Sequence, residues 1–226
     1  MLFFLPKPVR RLVYLVVLLG LLAIADIGVK IWAENQVEAG LDRQLEGVAS
    51  VDVGFSGFPF MGRALLLGEV DQISVTLEEV RRTQLTFATV GMRLSGIAID
   101  RDALVGDRQV RFEDIDRGEA FAELSQTELR RITGMEITLE PGVAKISAAG
   151  QTVRAAVTVR DGALVVQPLD GPAISVPVPT FDFLPCVARA TVLTGRIRVG
   201  CSLDAIPAPL VRLGSDVANQ VRFGAR

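Results

Sequence analysis

Thr152-Val-Arg-Ala-Ala-Val-Thr-Val-Arg160, then Asp161-Gly162, then the return Ala163-Leu-Val-Val166: this stretch decides the fold. Val153, Ala155, Val157 and Val159 alternate with Thr152, Arg154, Thr158 and Arg160. A side-chain period of two places the first set on one face of a strand and the second on the other. Asp161-Gly162 supplies the two positive-φ positions of a tight hairpin, so the chain reverses and pairs with itself. One apolar and one wet face is the signature of antiparallel sheet.

The same beat recurs along the chain. It appears at Val51, Val53 and Phe55, at Ile73, Val75 and Leu77, and at Leu85 and Phe87. It returns at Ile97 and Ile99, Val110 and Phe112, Met135, Ile137 and Leu139, and Ile197 and Val199. Helical signals are fewer. From Asp26 to about Leu45, the residues Ala33, Val37, Leu41 and Leu45 recur every fourth position, with Glu34, Glu38, Asp42 and Glu46 one place on. One face of that helix is apolar and its neighbour acidic. Ser125-x-x-Glu128 is a capping box that opens a short helix through Arg131, stopped by Gly134. Pro207 to Val221 predicts a terminal helix with Leu210, Leu213 and Val217 on one side. The prolines between Leu169 and Pro185 predict an extended edge strand or a crossover. The fold class expected is α+β: an N-terminal membrane helix, then an elongated, curled, mostly antiparallel sheet with a few packing helices.

Ahead of all this stand Lys7, Arg10 and Arg11 and an apolar run from Leu12 to Ala25, interrupted only by Asp26 if extended to Val29. A basic flank before a single hydrophobic segment keeps the start of the chain in the cytoplasm and sends the rest outward. Eighteen helical residues reach about 27 Å, just short of a hydrocarbon core of about 30 Å. Ala23-Ile24-Ala25 also suits a signal peptidase, so an uncleaved anchor and a cleaved signal peptide both stand. Either way residues 1–32 form the anchor or signal segment and residues 33–226 the envelope-facing domain. The expected location is the cytoplasmic membrane, single pass, with the main domain in the periplasm or cell envelope.

Composition excludes several functions. The 226-residue chain has no histidine, which removes the commonest general base and metal ligand. Asp114 and Asp116 are the nearest thing to a carboxylate pair and read as a solvated strand edge. No phosphate loop or metal-binding spacing occurs, so no catalytic residue, metal or cofactor is expected. Of the 24 basic residues, Lys7, Arg10 and Arg11 belong to the anchor, leaving 21 against 26 acidic residues outside, a net of −5. That is not a nucleic-acid surface. Cys186 and Cys201 lie in the exported part, where an even count favours a disulfide over two buried thiols.

The stretch Phe55-Ser-Gly-Phe-Pro-Phe60, followed by Gly68-Glu-Val-Asp-Gln-Ile73, resembles the actinobacterial family of exported, LmeA-like phospholipid-binding proteins. In that family an anchor or signal leads into a helix begun by an aspartate, matched by Asp26. A Gly-Phe-Pro-Phe corner is matched by Gly57, Phe58, Pro59 and Phe60, and a short apolar helix with its glycine by Leu65 to Leu67 and Gly68. Leu184 and Pro185 match a later Leu-Pro, and Gly195-Arg-Ile-Arg-Val199 a final strand entered through glycine. The resemblance implies an elongated shape similar to tubular lipid-binding domains, and phospholipid held in an apolar channel. It also implies support for envelope lipoglycan maturation without glycosyltransferase activity. The Cys186–Cys201 pair and the short loops depart from the family pattern.

The residues expected to bind lipid are Phe55, Phe58, Phe60, Leu65, Leu66, Ile73, Val75 and Leu77. Phe58 and Phe60 either gate lipid or plug the end of the core, and Leu65 to Leu67 line the mouth, dip into the bilayer or pack inward. The expected partners are phospholipid, the cytoplasmic membrane through the N-terminal helix, and an envelope enzyme. The alternative is a scaffolding ectodomain with a fully packed interior that binds such an enzyme.

Overall fold

The alternating segments fold into two antiparallel sheets in a computed structural model of the chain. It describes residues 7–42, 47–82, 85–107, 109–148, 151–168, 171–177 and 186–223. The first sheet holds β1 (Ser50–Ser56), β2 (Glu69–Arg82), β3 (Leu85–Ile99), β4 (Phe112–Ser125), β10 (Arg189–Leu193) and β11 (Arg196–Leu203), in the order β1-β2-β3-β4-β11-β10. The second is a meander of β5 (Glu136–Glu140), β6 (Val143–Ala148), β7 (Gln151–Arg160), β8 (Ala163–Pro168) and β9 (Ile174–Pro177). Among the described residues neither closes into a barrel.

The hairpin read from Asp161-Gly162 is present, with φ of 50° and 70° at those residues and Arg160 opposite Ala163. The proline-dense segment contributes β9 as the edge strand paired with β8; Leu169 and residues 178–185, including Leu184 and Pro185, lie outside the described residues.

The beats at Leu85 and Phe87 and at Ile97 and Ile99 belong to one strand, the 15-residue β3. Its apolar positions change phase. Val70 pairs with Ile97, then Ile73, Val75 and Leu77 pair with Leu94, Met92 and Val90, then Val80 pairs with Phe87. The pairing never slips, yet the inward residues of β2 switch from even to odd numbers and back. The pleat inverts at two lines across the sheet. One runs through Gly96 (φ 63°), the other through Glu79 (φ 49°). A Cβ on Gly96 would come within 2.6 Å of the Asp116 Cγ, so this position requires glycine on two counts. The inversions keep a strand of about 50 Å apolar on one side while the sheet twists.

The two ends of that inner face are packed. At one end the second sheet lies over it, and Ala122, Leu124, Ile197 and Val199 meet Ile137, Ile146, Leu164 and Val166 in a buried core. At the other end α4 (Ala208–Phe223) covers it, and Val70, Ile97, Ile99 and Ile115 meet Ile206 and Val211. Leu210 packs against this core, whereas the side chains of Leu213 and Val217 lie outside the described residues. Ser215 Oγ accepts the Phe112 backbone N–H at 2.8 Å and ties α4 to the start of β4. On the outer face, Phe121 sits between Gly91 and Gly200 with the Arg198 guanidinium 4.5 Å over its ring.

The capping box forms half as expected. α3 (Gln126–Thr133) begins with Glu128 N–H donating to Ser125 Oγ at 3.1 Å and ends at Gly134 in the left-handed region. Glu128, however, does not reach back to its own cap. Its carboxylate accepts the Thr86 backbone N–H at 2.8 Å and holds Arg131, clamping α3 to β3. The Arg131 hydrogen bond keeps the Glu128 carboxyl below its ordinary value of 4.5, against the opposing effect of burial.

Candidate functional site

α1 (Lys7–Asp42) is unbroken through residue 32. Ala33, Val37 and Leu41 are half-buried, as the periodicity predicts, while residues 43–46, including Leu45 and Glu46, lie outside the described residues. The acidic row beside them has a definite task. Glu38 Oε1 accepts the N–H of Val53 at 2.9 Å and Glu34 Oε1 that of Phe55 at 2.7 Å. These are the outward donors of β1, an edge strand that would otherwise offer them to another chain. Four helical residues rise about 6 Å, and two strand residues span about 6.7 Å, so an i, i+4 row of carboxylates matches alternate donors of a strand. Lys30 pairs with Glu34 at 3.8 Å.

About two turns before Glu34 the same helix holds the aromatic corner. Asp26, only 7% exposed, accepts from Phe60 N–H through one carboxylate oxygen (2.8 Å) and from Met61 N–H through the other (2.6 Å). These are the free donors at the start of α2 (Phe60–Gly62), which continues as a π-helical turn, Arg63–Leu67. An aspartate that interrupts an apolar run is thus a helix cap reached across 34 residues.

The expected lipid-binding residues fall into three groups. Phe55 and Phe60, with ring centroids 5.4 Å apart, join the packed end of the inner face beside Ala64 and Val70. Phe58, Leu65, Leu66 and Leu67 are exposed at the tip of the domain; Phe58 is 66% and Leu66 72% exposed. Ile73, Val75 and Leu77 lie half-buried on the inner face, Ile73 packed against the core at one end, Leu77 against that at the other, and Val75 between.

There the structure adds residues not identified from sequence. Val90, Met92 and Leu94 of β3 stand opposite Leu77, Val75 and Ile73, and Met92 is 40% exposed. Gly118, Ala120 and Cys201 continue the strip across β4 and β11 with small side chains. Cys201 is bonded to Cys186, the pairing that the even cysteine count favoured. The signal at Val90, Met92 and Leu94 was present as alternation, but it is out of phase with both ends of its own strand. A pocket of about 10 Å³, lined by Met92, Leu94, Gly118, Ala120, Cys201 and Ile206, lies on this strip. That is room for about one water molecule, not a fatty tail. What the inner face offers is an aliphatic row joining the two cores, with Met92 at its middle 40% exposed.

Asp114 and Asp116 are both exposed near the start of β4, with Ile115 buried between them; β4 is an interior strand, so they lie at a solvated strand end and not on a sheet edge. Among the described residues no helix is long and apolar enough to cross a membrane. The side chains of residues 1–19, which carry Lys7, Arg10, Arg11 and the first half of the apolar run, lie outside the described residues.

No curated protein and no solved structure gives a significant match to the chain. The family model described as LmeA-like phospholipid-binding matches residues 24–199, from just before Asp26 to the middle of β11. That span contains Asp26, the Gly57–Phe60 corner and the whole of β2 and β3. The chain belongs to the LmeA-like phospholipid-binding family, a family of binding domains and not of known enzymes.

Proposed function

We propose that the protein holds phospholipid acyl chains against the inner face of its six-stranded sheet, in the strip formed by Ile73, Val75, Leu77, Val90, Met92 and Leu94. The observation that carries this reading is the row of paired aliphatic side chains that joins the two cores: Ile73 and Leu94 pack against one, Leu77 and Val90 against the other, and Val75 and the 40% exposed Met92 lie between them in neither. Membership of a phospholipid-binding family supports it. Each methylene fully removed from water contributes about 0.8 kcal/mol. An open strip covers one side of a tail and captures roughly half of that. The headgroup stays in water. The pocket on this strip is water-sized, so an extended contact there fits better than an enclosed one.

The N-terminal half of α1 anchors the protein in the cytoplasmic membrane. The basic flank keeps its start inside, and the domain stands in the cell envelope. There it supports lipid or lipoglycan maturation by presenting lipid to an envelope enzyme. The small pocket also favours a second reading, a scaffold that binds such an enzyme and carries no lipid.

Purification of the full chain in mild detergent, followed by organic extraction and mass spectrometry, separates the two. Phospholipid at about one per chain supports the binding reading. A lipid-free, folded protein that takes up none from phosphatidylcholine vesicles supports the scaffold.

A further inference from the structure

We infer that the tip bearing Phe58, Leu66, Leu67 and Val105 is seated in the bilayer surface, so that the domain stands on end with its long strands along the membrane normal. This rests on the anchoring reading of α1. The geometry follows from the pairing of α1 with β1: Glu38 lies beside Val53, Glu34 beside Phe55 and Asp26 beside Phe60 and Met61. The helix therefore runs antiparallel to β1. Residues preceding Asp26 continue past the corner, and Leu21, Leu22 and Ile24 on that extension are exposed.

The tip is apolar where it faces the same way. Phe58 is 66%, Leu66 72%, Leu67 62% and Val105 66% exposed, a density of large exposed hydrophobics that marks an interaction surface. The Leu66–Gly68 backbone is tied to the strand end that precedes Val105. Arg101 donates to the Leu66 carbonyl at 2.7 Å, and Ile99 N–H to that of Gly68 at 2.7 Å, joining the Arg63–Leu67 turn to the Ala103–Asp107 turn that carries Val105. Among the described residues, the tip's Arg63 and Arg101 are engaged within the protein, Arg101 through the Leu66 carbonyl. Arg63 pairs with Asp71 at 2.7 Å and with Glu69 at 3.0 Å. The driving force of the seating is insertion of the exposed side chains into the interface.

The test uses the full chain in vesicles of phosphatidylcholine brominated on its acyl chains, with Trp32, the single tryptophan, replaced by Phe. Tryptophan is then placed singly by Phe58→Trp, Leu66→Trp or Val105→Trp, and at the opposite end by Met135→Trp. These positions are exposed, so each substitution spares the core. Loss of most tip emission, with Met135→Trp unquenched and no change between low and high salt, is the expected result. Protein that floats with the vesicles while its tip tryptophans keep their emission overturns the inference and leaves the anchor standing. Protein that fails to float overturns the anchor, and the seated tip with it. Phospholipid recovered by extraction in either case leaves the sheet-face reading untouched.

Discussion

Glu34 of α1 accepts the backbone N–H of Phe55 in β1 at 2.7 Å, and this bond, repeated by Glu38 and Val53, makes a helix serve as the missing neighbour of an edge strand. Removal of either carboxylate leaves a donor that the helix still shields from water. Glu34→Ala and Glu38→Ala should each lower unfolding free energy by about 1–3 kcal/mol in urea titration. Glu34→Gln, which keeps an acceptor, should lose less. The double alanine variant should also self-associate, because its β1 edge is open to pairing.

Glu128 predicts an acid-sensitive step. Its carboxyl is held below 4.5 in the folded protein by Arg131, so the unfolded chain binds its proton first as pH falls. The stabilisation is complete above the unfolded value and disappears as pH drops through the lower folded one. Glu128→Ala should cost about 1–3 kcal/mol at pH 7. Measured from pH 7 downward, the gap between wild type and variant should narrow only below about pH 4.5.

Gly96 predicts a specific intolerance. Alanine there must adopt φ near 63° and press on Asp116. Gly96→Ala should destabilise by at least about 1 kcal/mol. Gly106→Ala, where a Cβ meets nothing within 4 Å, should be close to neutral. Equal effects at the two sites, measured by thermal unfolding, would contradict the pleat-inversion account.

Much of this fold was legible locally. The Asp161-Gly162 hairpin, the Ser125 cap and the Gly134 stop each depend on residues within a few positions of one another, where sequence spacing and spatial spacing coincide. The pleat inversions were not. Gly96 and Glu79 shift the alternation by one residue in the middle of continuous strands, so the beat of Val90, Met92 and Leu94 was hidden between two others. The carboxylates of α1 were visible as an acidic row, but their partners lie 15 and 21 residues away on backbone atoms, which carry no side-chain signature. Asp26 looked like a flaw in an apolar segment because its role depends on a corner 34 residues downstream. The candidate site was half legible: Ile73, Val75 and Leu77 from alternation, their partners on β3 only from the pairing.

Met92 predicts a separable function. At 40% exposure it can be charged without opening the packed ends of the sheet. Met92→Glu should leave the unfolding midpoint near that of wild type and reduce co-purified phospholipid by about tenfold, the equivalent of 1.4 kcal/mol. Phe87→Ala, inside the packed end, should instead cost about 3–5 kcal/mol of stability.

The location of the acyl chain is tested most directly by photocrosslinking of the full chain with a phosphatidylcholine carrying a diazirine on its tail, followed by peptide mapping. The account predicts adducts on residues 73–77 of β2 and 90–94 of β3 that disappear in Met92→Glu. Adducts confined to α1 and the exposed tip, with none on those two strands, would contradict it.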